Sequence, residues 1–112
     1  MTDPQTPLLV LTTLATPDAA RALIRQLVED RIVACGTVVP GSTSIYRWQG
    51  SVTMDDEALV LLKTVRGRWD ALVAAIDRHH PYDVPELLAL PAGEVLPRYA
   101  AWLQTETAEV AA

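Results

Sequence analysis

The chain has 112 residues, 50% of them apolar and 21% charged, and its formal net charge is −5. This apolar content excludes an intrinsically disordered chain, and the length predicts one domain over residues 1–112 with a core of about 8–104. A pI of about 4.8 without a cluster of Lys and Arg excludes a nucleic-acid partner, and no apolar run is long enough to cross a membrane. A single cysteine and an N-terminus without a positively charged segment are typical of a cytoplasmic protein.

The N-terminal part of the sequence predicts a strand followed by a helix. Residues 8–11, Leu-Leu-Val-Leu, form a short apolar run that is typical of a buried strand. Thr16 is suited to cap a helix, and Pro17 suits the first helical position because an N–H there would have no helical partner. Apolar residues then recur at helical spacing, which predicts an amphipathic helix to about residue 30.

The middle of the sequence predicts an interrupted strand that ends in a tight turn. Residues 32–39 are apolar and rich in β-branched side chains, so they predict a second strand. Pro40-Gly41 interrupts this strand with a turn or a bulge, and strand character resumes over residues 43–48. Gln49-Gly50 then predicts a second turn.

The second half of the sequence predicts two further strands and two helices. After a polar segment over residues 51–56, the apolar stretch 57–65 predicts a third strand. Helical spacing over residues 69–80 predicts a second main helix, which Pro81 ends because proline disfavours helical geometry in the residue before it. Residues 86–90 predict a fourth strand. The last predicted element is a short helix over 97–106, with Tyr99, Trp102 and Leu103 facing inward.

The predicted order is β-α-β-β-α-β with an extra C-terminal helix, which is an α+β arrangement and predicts a ferredoxin-like fold with an antiparallel sheet. A sheet that helices cover on one face only should alternate apolar and polar residues. Leu59-Val60-Leu61-Leu62 and Leu87-Leu88-Ala89-Leu90 are instead apolar at every position. Either the short last helix or another subunit must cover the second face, and the extent of apolar surface favours a homo-oligomer.

The adjacent histidines His79 and His80 are the first candidates for a metal site. Imidazole is a good ligand for Cu²⁺ and Zn²⁺, but neighbouring helical positions point about 100° apart, so one chain does not easily direct both rings at one ion. The alternative to a metal site is a structural role, in which a charged histidine ring at the helix C-terminus is stabilised by the helix dipole. Cys35 would add a thiolate ligand, although a cysteine among apolar strand residues is more often a small hydrophobic side chain.

Three further side chains are candidates for a binding site. Tyr46 and Trp48 share one face of a strand, where aromatic side chains line a pocket or anchor an interface. Lys63 interrupts an apolar strand, so it needs either a carboxylate partner such as Glu57 or Glu86, from its own or another subunit, or an anionic ligand. The sequence has no phosphate-binding or dinucleotide-binding glycine loop, nucleophile elbow, Cys-x-x-Cys or His-Glu-x-x-His motif, and it therefore predicts no enzymatic activity.

Six short motifs carry a resemblance to a known family. They are Ala34-Cys35, Pro40-Gly41-Ser42-Thr43-Ser44-Ile45-Tyr46, Trp48-Gln49-Gly50, Leu62-Lys63-Thr64, His79-His80-Pro81-Tyr82-Asp83-Val84-Pro85-Glu86 and Tyr99-Ala100-Ala101-Trp102-Leu103. Together they resemble the CutA family of divalent-cation tolerance proteins, over a span from about residue 8 to residue 103. No single motif is specific, whereas six in this order are.

The resemblance implies a ferredoxin-like homotrimer that takes part in bacterial tolerance of divalent metals such as copper, without an organic cofactor. It implies that Cu²⁺ or another divalent metal binds at His79 and His80. Cys35 stays a further candidate ligand from the residues alone, and we expect the binding to be weak. Family members also place a cysteine near the end of the first strand. Here that strand ends Leu11-Thr12-Thr13, so this part of the ligand set is absent.

A second class of function stays open beside metal tolerance. The family is similar to the PII signalling trimers, which implies a regulatory or scaffold trimer that binds a small ligand or a protein partner in clefts between subunits. By this analogy alone, the residues that would line such a cleft are Tyr46, Trp48, Lys63 and Tyr82.

Overall fold

The computed structural model describes residues 3–109, which contain one four-stranded sheet and three α-helices. The elements in chain order are β1 (Pro7–Leu14), α1 (Pro17–Glu29), β2 (Cys35–Trp48), β3 (Ser51–Val65), a short 3₁₀ turn (Arg66–Arg68), α2 (Trp69–His79), β4 (Leu88–Pro91) and α3 (Pro97–Glu106). The strand order is β2-β3-β1-β4, and every neighbouring pair is antiparallel. This topology confirms the predicted ferredoxin-like α+β fold with an extra C-terminal helix.

One face of the sheet carries the main hydrophobic core, because α1 and α2 pack against it. Alternate β1 residues such as Leu8, Val10 and Leu14 join buried helix residues such as Leu27 and Leu72 in one cluster. The cap predicted for α1 is present, since the Thr16 hydroxyl accepts a hydrogen bond from the Ala19 N–H at 3.1 Å. Within residues 3–109, none of the helices combines the length and apolar character that a membrane span requires.

Strands β2 and β3 form a longer hairpin than the sequence predicts. The prediction that residues 51–56 lie outside a strand is wrong, because β3 begins at Ser51 and pairs with β2 from Trp48 onward. Gln49 and Gly50 both have positive φ, 48° and 82°, so they close the hairpin with the two-residue turn that matches strand twist. Polar residues are compatible with this strand because the outer part of the hairpin projects beyond the helices and needs no apolar face.

One of the two alternatives predicted at Pro40-Gly41 is confirmed, and two strands begin later than predicted: β2 at Cys35 and not at residue 32, and β4 at Leu88. The register between β2 and β3 shifts between Val39 and Ser42, so the chain forms a bulge at Pro40-Gly41 and does not turn there. Strand β4 begins at Leu88, two residues later than the predicted 86, because its pairing with β1 starts at Leu11 opposite Leu88. The fourth strand is therefore defined by its partner and not by its own apolar run.

The second face of the sheet is only partly covered within one chain. Helix α3 buries Leu103 against Ala34 and Val65 at one end of this face. The prediction that Tyr99 and Trp102 also face inward is wrong for the single chain, because they stay 37% and 41% exposed and stack on each other. A helix of ten residues does not reach across the sheet. The remainder, called here the open sheet face, consists of Leu11, Leu59, Leu61, Leu88 and Leu90.

We expect Gly36→Ala to lower the free energy of unfolding by about 1–3 kcal/mol, since overpacking a dense core has that cost. A Cβ at Gly36 in β2 would lie 2.8 Å from Ile24 Cγ2 of α1, and a β-branched side chain adjusts poorly. Urea denaturation of both proteins at equal concentration measures the difference. The matched control is Gly93→Ala, because no atom lies within 4 Å of that Cβ; equal losses in the two variants would contradict the packing argument.

Candidate functional site

The two histidines have different environments at the end of α2. His79 is the last residue of the helix and is exposed, whereas His80 caps it in an extended conformation and is only 7% exposed. His80 Nε2 lies 2.8 Å from the Thr13 carbonyl oxygen, and His80 Nδ1 accepts the Tyr82 N–H at 3.2 Å. Because a carbonyl only accepts, Nε2 must donate, so both ring nitrogens of His80 are already used within the protein.

Tyr82 extends this network from the end of α2 to strand β3. Its hydroxyl donates a hydrogen bond of 2.7 Å to Glu57 Oε2, and its ring packs edge-on against the His80 ring at 4.7 Å. Burial, together with the Glu57 carboxylate, raises the pKa of Tyr82 far above its ordinary value. The hydroxyl therefore stays protonated and holds the carboxylate in one position.

A cavity of about 710 Å³ opens beside this network, between the outer β2–β3 hairpin and the segment after α2. Tyr46, Trp48 and Tyr82 contribute aromatic side chains to its lining, and no Lys, Arg or His side chain lines it. Its carboxylates are those of Asp55, Asp56, Glu57, Asp83 and Glu86. The Tyr46 hydroxyl donates a hydrogen bond to Asp55, which raises the pKa of Tyr46. We call this feature the acidic cavity.

The structure brings together three of the four side chains for which the sequence suggested a ligand cleft. Tyr46, Trp48 and Tyr82 line the acidic cavity, whereas Lys63 does not. Lys63 lies farther along β3, where its Nζ donates a hydrogen bond of 2.7 Å to the Thr37 hydroxyl. Lys63 therefore makes no ion pair within the described chain, and its pairing with a carboxylate of another subunit stays a prediction.

Cys35 lies at the opposite end of the sheet from the histidines. Cys35 pairs with Lys63 in β3. Thr13, whose carbonyl binds His80, pairs with Leu59 of the same strand. Leu59 and Lys63 are four residues apart, which is about 13 Å along the strand. The Cys35 Sγ instead lies 3.6 Å from the Tyr99 hydroxyl. No group of three or more His, Cys, Asp or Glu residues in the described part of the chain has a metal-binding arrangement. The residues of one chain therefore do not fit a tight copper site.

Comparison with known proteins identifies the family. A family model described as CutA1 divalent ion tolerance protein matches residues 8–106. The chain belongs to the CutA1 divalent ion tolerance family. This confirms the resemblance that the six motifs indicated.

Individual members of the CutA1 family are similar over nearly their whole length. The divalent-cation tolerance protein CutA of Thermus thermophilus is 45% identical over 98 residues, which cover 88% of this chain and 95% of the relative. The protein of the same name from Escherichia coli is 36% identical over 98 residues, which cover 88% of this chain and 88% of the relative. The solved structure of the Thermus thermophilus protein superposes with a TM-score of 0.88 at 43% identity and covers 91% of this chain and 99% of its own.

Sequence reasoning did not find several residues of the acidic cavity in this CutA1 family member. Asp55 and Asp56 fell in the segment that was not predicted to be a strand, and Thr13 was taken only as the end of the first strand. The run Asp55-Asp56-Glu57 is visible in the sequence as an acidic signal. Its meaning depends on the hairpin, which places the run opposite Tyr82 and the loop after α2.

The ordinary pKa of tyrosine is 10.0, so about half of the tyrosine side chains are ionised at that pH when the chain is unfolded in urea. In the folded protein we expect well under half of the tyrosine side chains to be ionised at the same pH. The pKa is raised at all three tyrosines; burial and the Cys35 thiol raise the pKa of Tyr99 to about 12. Tyrosinate absorbance measures the ionised fraction.

The same shifts predict how stability depends on pH. The folded state keeps tyrosine protons that the unfolded state releases above pH 10.0, so the contribution of the tyrosines to the unfolding free energy is constant below that pH and falls as the pH rises above it. Urea denaturation across this range measures the fall. A folded protein that titrates like its urea-unfolded form would contradict both expectations.

Proposed function

We propose that this protein takes part in the tolerance of divalent cations, copper among them, as a cytoplasmic homotrimer that binds metal and does not catalyse a reaction. The observation that carries the proposal is the family match over residues 8–106, together with relatives named for divalent-cation tolerance. A single free cysteine agrees with a reducing compartment.

His79 is the side chain that we assign to metal contact. It is exposed at the C-terminus of α2 and makes no side-chain hydrogen bond or ion pair with other residues of the described chain, so its neutral imidazole can bind Cu²⁺. His80 is already held by Thr13 and Tyr82. One available imidazole per chain supports weak binding, which symmetry-related histidines or nearby carboxylates would strengthen.

We expect His79→Ala to abolish most of the Cu²⁺ binding that calorimetry detects in the wild type, because the variant lacks the available imidazole. The matched variant is His80→Ala, which should keep Cu²⁺ binding but lower the thermal unfolding temperature, because it breaks two internal hydrogen bonds. Equal affinity in the wild type and His79→Ala would remove His79 from the site.

Growth on copper tests the cellular role through the same variant. In an Escherichia coli strain that lacks its own CutA, the wild-type chain should restore growth in medium with added Cu²⁺, and His79→Ala should restore it less. Failure of the wild-type chain to restore growth, at an expression level confirmed by immunoblot, would contradict the tolerance proposal itself.

The homotrimer is supported by the open sheet face. Leu88 and Leu90 are 54% and 47% exposed in the single chain, beside Leu11, Leu59 and Leu61. Contiguous apolar surface of this kind is rare on monomers and is typical of an interface between copies. Helix α3 covers only the end of the face next to Leu103, so a second copy of the chain is needed to cover the rest.

We expect light scattering to give about three times the 12.2 kDa chain mass for the wild type. Leu88→Lys should dissociate the assembly, because burying an unpaired lysine in an apolar interface is strongly unfavourable. The matched control is Val28→Lys on α1, which is 39% exposed away from the open sheet face and should leave the mass unchanged. A monomeric wild type at micromolar concentration would overturn the assembly.

A further inference from the structure

Two exposed apolar groups border the open sheet face, and no other residue of the described chain covers them. Tyr99 and Trp102 of α3 stack with their ring centroids 5.6 Å apart and stay 37% and 41% exposed. Leu88 and Leu90 of β4 are 54% and 47% exposed. Large apolar side chains that are exposed side by side are typical of a contact surface, and aromatic side chains are enriched in such surfaces.

The aromatic pair and the two leucines lie at opposite edges of the sheet. The Tyr99 hydroxyl lies 3.6 Å from Sγ of Cys35, which is the first residue of β2. The strand order is β2-β3-β1-β4, so β2 is the outermost strand on one side and β4 is the outermost strand on the other. The aromatic pair therefore belongs to the β2 edge, and Leu88 and Leu90 belong to the β4 edge.

Strand register places the two edges of this face at the same level. Cys35 of β2 pairs with Lys63 of β3, and Lys63 also pairs with Leu9 of β1. Leu9 in turn pairs with Leu90 of β4, and directly paired residues point to the same face of an antiparallel sheet. Three strand spacings separate Cys35 from Leu90, or about 14 Å. A single chain therefore does not bring the aromatic pair onto Leu90.

The homotrimer needs two different contact surfaces on every chain. An isologous contact, in which the same surface of both copies meets, joins two copies and leaves no place for a third. A closed trimer is heterologous, so one surface of each copy contacts a different surface of the next. When the three-fold axis runs roughly along the strands, rotation keeps each cross-strand row at its level. The β2 edge of one copy then meets the β4 edge of the next.

We infer that the Tyr99–Trp102 pair of each chain packs on Leu88 and Leu90 of the next chain and thereby closes the trimer. This inference rests on the proposed homotrimer and names the side chains that join its copies. Both sides of the contact are apolar, so their association removes aromatic and leucine surface from water. Helix α3 then has two roles, because Leu103 packs on its own sheet and the aromatic pair contacts the neighbouring copy.

Iodide quenching of Trp102 fluorescence tests the inference. The chain has three tryptophans, so Trp48→Phe with Trp69→Phe leaves Trp102 as the only one that emits. This protein is compared with the same protein carrying Leu88→Lys, which is expected to dissociate the homotrimer. We expect iodide to quench Trp102 at least about threefold less in the assembled protein, since the centre of an interface is packed as closely as a protein interior.

The matched control leaves Trp69 as the only tryptophan, through Trp48→Phe with Trp102→Phe. Trp69 packs against the core of its own chain, so iodide should quench it equally in the assembled and the dissociated protein. Light scattering on the same samples separates two failures. A trimer in which Trp102 is quenched as strongly as in the dissociated protein would overturn this contact and leave the homotrimer standing. A monomeric wild type would overturn both.

A double-mutant cycle tests whether Trp102 meets Leu90. Trp102→Ala and Leu90→Ala each remove one side of the same contact, so the double variant should dissociate at the protein concentration of the weaker single variant, within about threefold. The control pair is Trp102→Ala with Leu59→Ala, because Leu59 lies on the same face but four residues along β3 from Lys63. Its two effects should multiply, since distant sites act independently. Multiplying effects at Trp102 and Leu90 would overturn their contact.

Discussion

Strands β1 and β3 carry apolar side chains on both faces of the sheet, and this constraint organises the rest of the molecule. Helices α1 and α2 cover one face and complete a core in which residues such as Val10 and Leu62 have no exposed surface. The other face receives only α3, which is too short to cover it and buries just Leu103. The assembly proposed above follows from the same constraint, because water contact with the leucines left over is unfavourable.

The length of the β2–β3 hairpin then determines where polar chemistry can accumulate. Beyond the helices the hairpin no longer has to bury an apolar face, so its outer part accommodates Asp55, Asp56 and Tyr46. The end of α2 lies near the point where the hairpin leaves the core, and the buried contacts of His80 and Tyr82 join the two. The acidic cavity forms at this junction, and its walls belong to two separate parts of the fold.

The two histidines illustrate why a sequence motif and a site are different things. His79 and His80 are neighbours in the chain, yet one is exposed and the other has both ring nitrogens engaged inside the protein. Cys35 was grouped with them by chemistry alone, and strand register places it at the far end of the sheet. The metal contact proposed above consequently rests on one exposed imidazole per chain.

The sequence by itself determined the order of the elements, the capped start of α1 at Thr16, the turn at Gln49-Gly50 and the family, because all of these depend on local patterns or on motifs in a fixed order. It did not determine that Ser51 begins a strand, since Val52 and Met54 stay exposed and this part of β3 is defined by its pairing with β2. Only the tertiary structure decided which residues share a site. Glu57 meets Tyr82 across 25 positions and Thr13 meets His80 across 67, and such contacts arise from strand register and helix packing, which no local pattern encodes.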